Sequence, residues 1–108
     1  MPKQFRSDYY EAIIQLRPHR EDILAFIQNQ ILQRNDVFIS KIQDLKTGID
    51  IYISSQKFVR SLARRLKSVF RGEVTLSYTL HTEDRQTSKK KYRATLLFRA
   101  ERNPPEEE

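Results

Sequence analysis

The twenty-five residues from Gly48 to Gly72, GIDIYISSQKFVRSLARRLKSVFRG, constrain the fold more than any other stretch of this chain. Ile49, Ile51 and Ile53 alternate with Asp50 and Tyr52, the period of a strand with one buried face. Ser54 or Ser55 can then cap a helix, because a serine hydroxyl accepts from a first-turn amide that has no partner within the helix. Phe58, Leu62, Leu66 and Val69 recur every three or four residues, with Val59, Ala63 and Phe70 beside them, so the helix has a wide apolar stripe. Lys57, Arg60, Arg64, Lys67 and Arg71 recur at the same spacing on a different face, and Arg65 lies between the two. Gly72 is the expected C′ residue, since glycine takes the left-handed conformation there without steric cost.

The charge pattern of this helix is one-sided. Between Ser54 and Arg71 stand six basic residues and no acidic one. Helical stability favours interleaved signs, because like charges at i,i+4 repel by a few tenths of a kcal/mol. Lys57 also sits near the positive end of the macrodipole. An anionic partner accounts for the pattern where stability does not. The competing reading is a solvated basic face over an ordinary core helix.

At 108 residues the chain has the length of one domain and can bury a core without staples. It has no cysteine, which leaves only His and carboxylates as zinc ligands and suits a reducing compartment. No apolar run approaches the ~20 residues of a membrane span, and the N-terminal MPKQFRSD lacks the apolar centre of a signal peptide. A cytoplasmic protein is expected, with no membrane partner. The net charge of +6 and pI of about 9.8 favour polyanions such as nucleic acid.

Along the chain, residues 1–8 read as a polar arm and 9–99 as a single α+β domain. Tyr9 to Arg17 is a strand, with Tyr10, Ala12, Ile14 and Leu16 on one side and Tyr9, Glu11, Ile13, Gln15 and Arg17 on the other. Pro18 ends it. Arg20 to about Arg34 is a helix with Glu21 and Asp22 in its first turn; Leu24, Ile27 and Ile31 form its stripe, broadened by Ile23, Phe26 and Leu32. Val37 to Leu45 is a strand whose imperfect alternation calls for a bulge or an edge position. Lys46-Thr47-Gly48 is a turn with glycine available for positive φ. Glu73 to His81 is a strand with Val74, Leu76, Tyr78 and Leu80 inward. Residues 82–90 form a polar loop, and Lys91 to Arg99 is the last strand, with Tyr92, Ala94, Leu96 and Phe98 inward. Residues 100–108 read as an acidic, proline-containing tail or linker.

The order β-α-β-β-α-β-β contains the βαββαβ core of the split-βαβ, ferredoxin-like sandwich. The expected architecture is a five-stranded antiparallel sheet of order 2-3-1-4-5 with two helices on one face.

Two candidate sites emerge. The first is the basic helix face, Lys57, Arg60, Arg64, Lys67 and Arg71, whose spacing suits phosphates along a groove. The second is the final hairpin, with Arg85, Lys89, Lys90, Lys91 and Arg93, assisted by Thr87 and Ser88. Base stacking on the open sheet face is disfavoured, because Glu11 and Asp50 accompany the outward Tyr9 and Tyr52 and the glycine-aromatic pattern of RNA-recognition modules is absent. Outward Ile13 and Leu97 suggest a covered face or a partner surface instead. Catalysis has little support: His19 and His81 stand far apart with no neighbouring nucleophile, and the two glycines form no phosphate loop. Small acylphosphatases share the topology, but no matching phosphate cradle follows the first strand. Neither an enzyme, a cofactor, a metal nor a small-molecule substrate is expected.

The segments YYEAIIQLR, GIDIYISSQKFVRSLARRLKSVF and EVTLSYTLHTEDRQTSKKKYRATLLFR resemble, in that order, the N-terminal half of the large-ribosomal-subunit export adaptors, a family historically named after nonsense-mediated decay. The resemblance covers about residues 8–100. It implies a factor that associates with RNA and ribosomes and binds the late large-subunit precursor, with ribosomal proteins as further partners. Members of that family carry paired CxxC zinc motifs before this region and further domains after it. This chain has no cysteine, so it resembles an excised domain or a reduced, archaeal-type member, and neither zinc nor nuclear export carries over. No individual contact residue carries over either. The expectation is a non-catalytic rRNA- or ribosome-binding domain in large-subunit biogenesis or export. The alternative is a protein-interaction domain that docks through its sheet face or an edge strand, with the basic face only solubilising.

Overall fold

The computed structural model describes residues 9–84 and 89–101, the side chains of 81–84 and 89–90 excepted. The expected polar arm, all of the tail beyond Glu101, and residues 85–88 of the expected loop lie outside the described residues. Seven elements follow in order: β1 Ala12–Arg17, α1 Glu21–Leu32, β2 Ile39–Leu45, β3 Gly48–Ile53, α2 Gln56–Val69, β4 Gly72–Asp84 and β5 Lys89–Ala100.

The core is built from the alternation already visible in the strands. Ala12, Ile14 and Leu16 of β1, Ile49, Ile51 and Ile53 of β3, and Ala94, Leu96 and Phe98 of β5 share one face through the pairings Ile14↔Ile51 and Ile14↔Leu96, and all are buried. Ile23, Ile27 and Ile31 of α1 and Phe58, Val59, Leu62, Ala63 and Leu66 of α2 close over that face in one cluster. Burial of each large aliphatic stabilises by about 1.5–3 kcal/mol. Two stripe residues fall outside it: Leu32 is 52% and Val69 55% exposed. Each is the last residue of its helix, and Leu32 also lies about 140° around α1 from Ile27, the middle of its buried stripe. Phe26 and Phe70 instead meet edge-to-face between the helices, centroids 5.4 Å apart.

The sheet order is β2-β3-β1-β5-β4, and β1 pairs with β5 in parallel. The expected order 2-3-1-4-5 and the all-antiparallel sheet are therefore corrected. The first half is as expected: β3 lies between β1 and β2 and is antiparallel to both. The second half inserts β5 between β1 and β4. The side chains give the reason. From Ala94 onward the core side of β5 is buried and the opposite side offers half-buried Thr95 and Leu97, whereas the outward residues of β4, Glu73, Thr75, Ser77 and Thr79, are polar and exposed. The strand able to shed water on both flanks takes the inner place, and the more polar one takes the edge.

The final hairpin is longer than expected. Residues 82–84 and 89–91 belong to the β4–β5 ladder, with a register shift between Leu80 and Thr82. β5 meets β1 only from Ala94 onward, so residues 89–93 pair with β4 alone, as a two-stranded ribbon. Tyr78, at the foot of this ribbon, and Leu80 and Tyr92 on it have the inward parity but are exposed, because no described strand or helix extends to cover them. The irregularity of β2 has both proposed causes: it is an edge strand, and its register slips between Ile39 and Lys41.

Both glycines have roles other than those expected. Gly48 is the first residue of β3, paired with Leu45 across a Lys46-Thr47 turn. A Cβ there would stand 2.0 Å from the Leu16 carbonyl oxygen, so the glycine permits close approach of β1. Gly72 is not a left-handed helix cap: α2 ends at Val69 with an extended Phe70, and Gly72 opens β4. A Cβ on it would lie 2.6 Å from the Arg99 carbonyl oxygen.

Candidate nucleic-acid interface

The two serines before α2 divide the work. Ser55 caps the helix, its hydroxyl accepting from the Phe58 amide at 3.1 Å. Ser54 is buried and ties the end of β3 to the entry of β2: its hydroxyl accepts from the Phe38 amide at 2.9 Å, and its own amide donates to the Phe38 carbonyl at 3.0 Å. The first turn of α2 has no acidic residue of its own. Glu11 supplies one from outside, its Oε1 accepting from the Gln56 amide at 2.9 Å. That carboxylate offsets the unfavourable position of Lys57 at the positive helix end.

With the apolar stripe of α2 turned to the sheet, Lys57, Arg60, Arg64 and Lys67 are all exposed. At 3.6 residues per turn they fall within about 80° of arc and span about 15 Å of helix. None of the four forms an ion pair among the described residues; Arg60 alone touches a neighbour, Gln56, at 3.5 Å. Arg65 differs, its guanidinium donating to Gln30 of α1 at 3.0 Å. Arg71 is exposed but lies two residues past the end of α2, so it flanks the basic face and is not part of the helix.

The hairpin cations are placed less uniformly. Arg85 lies outside the described residues, as do Thr87 and Ser88. Lys89 and Lys90 open β5, and Lys91 is exposed. Arg93 is held: its Nε donates to the Tyr10 carbonyl at 3.1 Å, its Nη1 to the Tyr10 hydroxyl at 3.1 Å, and its guanidinium carbon stands 3.8 Å from the Tyr10 ring centroid. Arg93 thus belongs to the open sheet face.

That face carries a group not read from the sequence. A bend at Glu11 precedes β1, and Tyr10 turns away from the core side assigned to it. Its ring meets Tyr52 edge-to-face at 4.8 Å, and the Lys41 ammonium stands 4.9 Å from the Tyr52 centroid. Lys41, Tyr52, Tyr10 and Arg93 therefore form a continuous row across the face. The outward position of Tyr52 is legible from parity. Tyr10 and Arg93 need the β1–β5 pairing, which has no local signal.

The two acidic residues beside the aromatic row are engaged, whereas Glu73 stands exposed at the far end of β4. Asp50 accepts from Arg17 Nη2 at 2.7 Å, and Arg17 also donates to the Leu16 and Ile49 carbonyls. Glu11, besides holding the α2 amide, accepts from the Tyr9 hydroxyl. That hydrogen bond, with burial and the carboxylate's charge, raises the Tyr9 phenol above its ordinary pKa. Elsewhere, His19 lies 3.4 Å from Glu21, and no group of three or more metal-ligating side chains occurs among the described residues. No described helix is long and apolar enough to cross a membrane.

A mixed five-stranded sheet with two helices on one face, one of them presenting cations with no ion-pair partner among the described residues, defines a small α+β domain with a cationic helix surface. Residues 9–99 match the model of the family described as NMD3, second domain. The chain belongs to that family, as the resemblance implied. Membership implies a part in the export or biogenesis of the large ribosomal subunit, in a family of non-enzymatic adaptors. A search of curated proteins gave no match.

Proposed function

We propose that this domain is a non-catalytic rRNA-binding module that seats its parent factor on the large-subunit precursor through the exposed face of α2. Lys57, Arg60, Arg64 and Lys67 take phosphates, Arg71 extends the track past the helix end, and Lys91 with Lys89, Lys90 and Arg85, its neighbours in sequence, adds a second contact. Contacts of this kind fix position and carry little sequence information. The observation that carries the reading is the run of four exposed helix cations with no ion-pair partner among the described residues.

Filter binding to structured rRNA fragments tests it. The variant carrying Arg60→Glu, Arg64→Glu and Lys67→Glu should lose retention while its circular dichroism stays that of the parent. With ~5 phosphate contacts, log affinity should fall with log salt at a slope of about −3.5 to −4.5. Unchanged retention by the folded variant would refute the reading. A second reading, docking on a protein, is favoured by the exposed Tyr78, Leu80 and Tyr92 at the foot of the ribbon and on it. It predicts that replacing Tyr78 and Leu80 by Ser weakens ribosomal-particle association while naked rRNA binding stays as it was.

A further inference from the structure

We infer that the open sheet face is a separate binding site for unpaired nucleobases of single-stranded RNA, on the side of the sheet opposite α2. The choice of RNA over DNA rests on the ribosomal reading above; recognition of an unpaired base rests on this face alone. Three observations carry it. First, Lys41–Tyr52–Tyr10–Arg93 places two aromatic rings between two cations across β2, β3 and β5. Arg93 is held over the Tyr10 ring, so Tyr52 is the stacking ring: a base takes the place of the flexible Lys41 on its face, and Lys41 moves to an adjoining backbone phosphate. Second, Tyr10 and Arg93 line an open cleft with Ile13, Thr79, Leu80 and Thr95. Its walls combine apolar surface, hydroxyls and the guanidinium edge, whose Nη2 makes no hydrogen bond among the described residues. That mixture suits a flat, mostly apolar ring with polar edges. Third, the two carboxylates nearest the row are occupied, Asp50 by Arg17 and Glu11 by the α2 amide and Tyr9; the exposed Glu73 lies at the other end of β4, register partner of Arg99.

The test is fluorescence anisotropy with the full chain and two probes, a labelled oligouridylate of about ten nucleotides and a blunt RNA duplex. Tyr52→Leu removes the π-face and keeps an apolar, strand-compatible side chain. It should weaken oligouridylate binding roughly tenfold and leave duplex binding within about twofold, whereas Tyr52→Phe should restore the single-strand affinity. Lys41→Ala should weaken the single strand at low salt only, as charge alone is removed. The α2 triple charge reversal should abolish duplex binding. Introduced into that background, Tyr52→Leu should weaken oligouridylate binding by the same factor as in the parent. A failure of the α2 reading, duplex binding insensitive to the triple reversal, is thereby separate from a failure here. The inference is overturned if the parent does not bind oligouridylate, if Tyr52→Leu binds it as the parent does, or if Tyr52→Leu lowers the denaturation midpoint without changing affinity. The last outcome would make the row a cement between strand ends.

Discussion

Both glycines of the chain are held where a Cβ would strike backbone. At Gly48 the obstacle is the Leu16 carbonyl at 2.0 Å; at Gly72 it is the Arg99 carbonyl at 2.6 Å. Neither obstacle is the free end of a flexible side chain. Gly48→Ala and Gly72→Ala should each destabilise the domain by about 2 kcal/mol or more, the first through overpacking and the second through overpacking together with its φ of 159°; urea midpoints measured on both check this. Arg17 gives a second prediction at this scale. Its partner Asp50 is only 12% exposed at the side chain. Arg17→Met should cost about 2 kcal/mol, because a half-buried carboxylate loses its counter-charge. Adding Asp50→Asn should recover part of that loss, and a double-mutant cycle in urea reads the coupling. Asp22 lies at the opposite extreme of exposure. The hydrogen bond from Arg20 holds its carboxyl below the ordinary carboxylate range. A depressed folded-state pKa stabilises above the unfolded value and is lost as pH falls through the folded one. Asp22→Asn should therefore cost at most a few tenths of a kcal/mol at neutral pH, and nothing once the carboxyl is protonated in both states.

At the scale of the element, α2 shows stability and function pulling apart. Its apolar stripe, Phe58, Val59, Leu62, Ala63 and Leu66, is committed to the core, and this much follows from spacing alone. Spacing also narrows its cap to two serines; only the tertiary fold assigns Ser55 to the helix and Ser54 to Phe38. Ser55→Ala should cost about 1 kcal/mol, and Ser55→Asp should be tolerated. The cationic face repels itself at i,i+4 between Arg60 and Arg64. Arg64→Glu should stabilise the domain by roughly 0.2–0.5 kcal/mol while weakening rRNA retention, both read on one preparation by thermal melting and filter binding. A gain in stability coupled to a loss of binding is what a surface selected for an anion would give. Val69 shows where periodicity overreaches: it keeps the stripe's spacing, yet the helix ends on it and leaves it exposed.

Across the whole molecule, the sheet divides into a covered part and an overhanging ribbon. β5 is shared: from Ala94 it is an inner strand paired with β1, and before that it is half of a hairpin. Replacing residues 83–90 by an Asn-Gly turn between the register partners Thr82 and Lys91 should leave the denaturation midpoint close to that of the parent, since the described residues among them, Glu83, Asp84, Lys89 and Lys90, pair with each other and not with β1. It should also flatten the salt dependence of rRNA binding by about one unit for each phosphate that the shortened ribbon no longer reaches. A steep loss of stability instead would mean that the ribbon supports the core.

The sequence by itself determined the elements, the buried parity of β1, β3 and β5, the irregularity of β2 and the one-sided charge of α2. Each follows from local spacing: two residues per strand repeat and 3.6 per helical turn fix which side chains lie together. Tertiary structure alone decided that β5 and not β4 lies beside β1, because that choice depends on which strand is covered on both flanks. It decided the glycine roles, which depend on a neighbouring backbone. It also turned Tyr10 onto the open face beside Tyr52 and Arg93, after a bend that breaks the alternation. The basic helix is legible in one stretch of chain; the aromatic row exists only where strands distant in sequence meet.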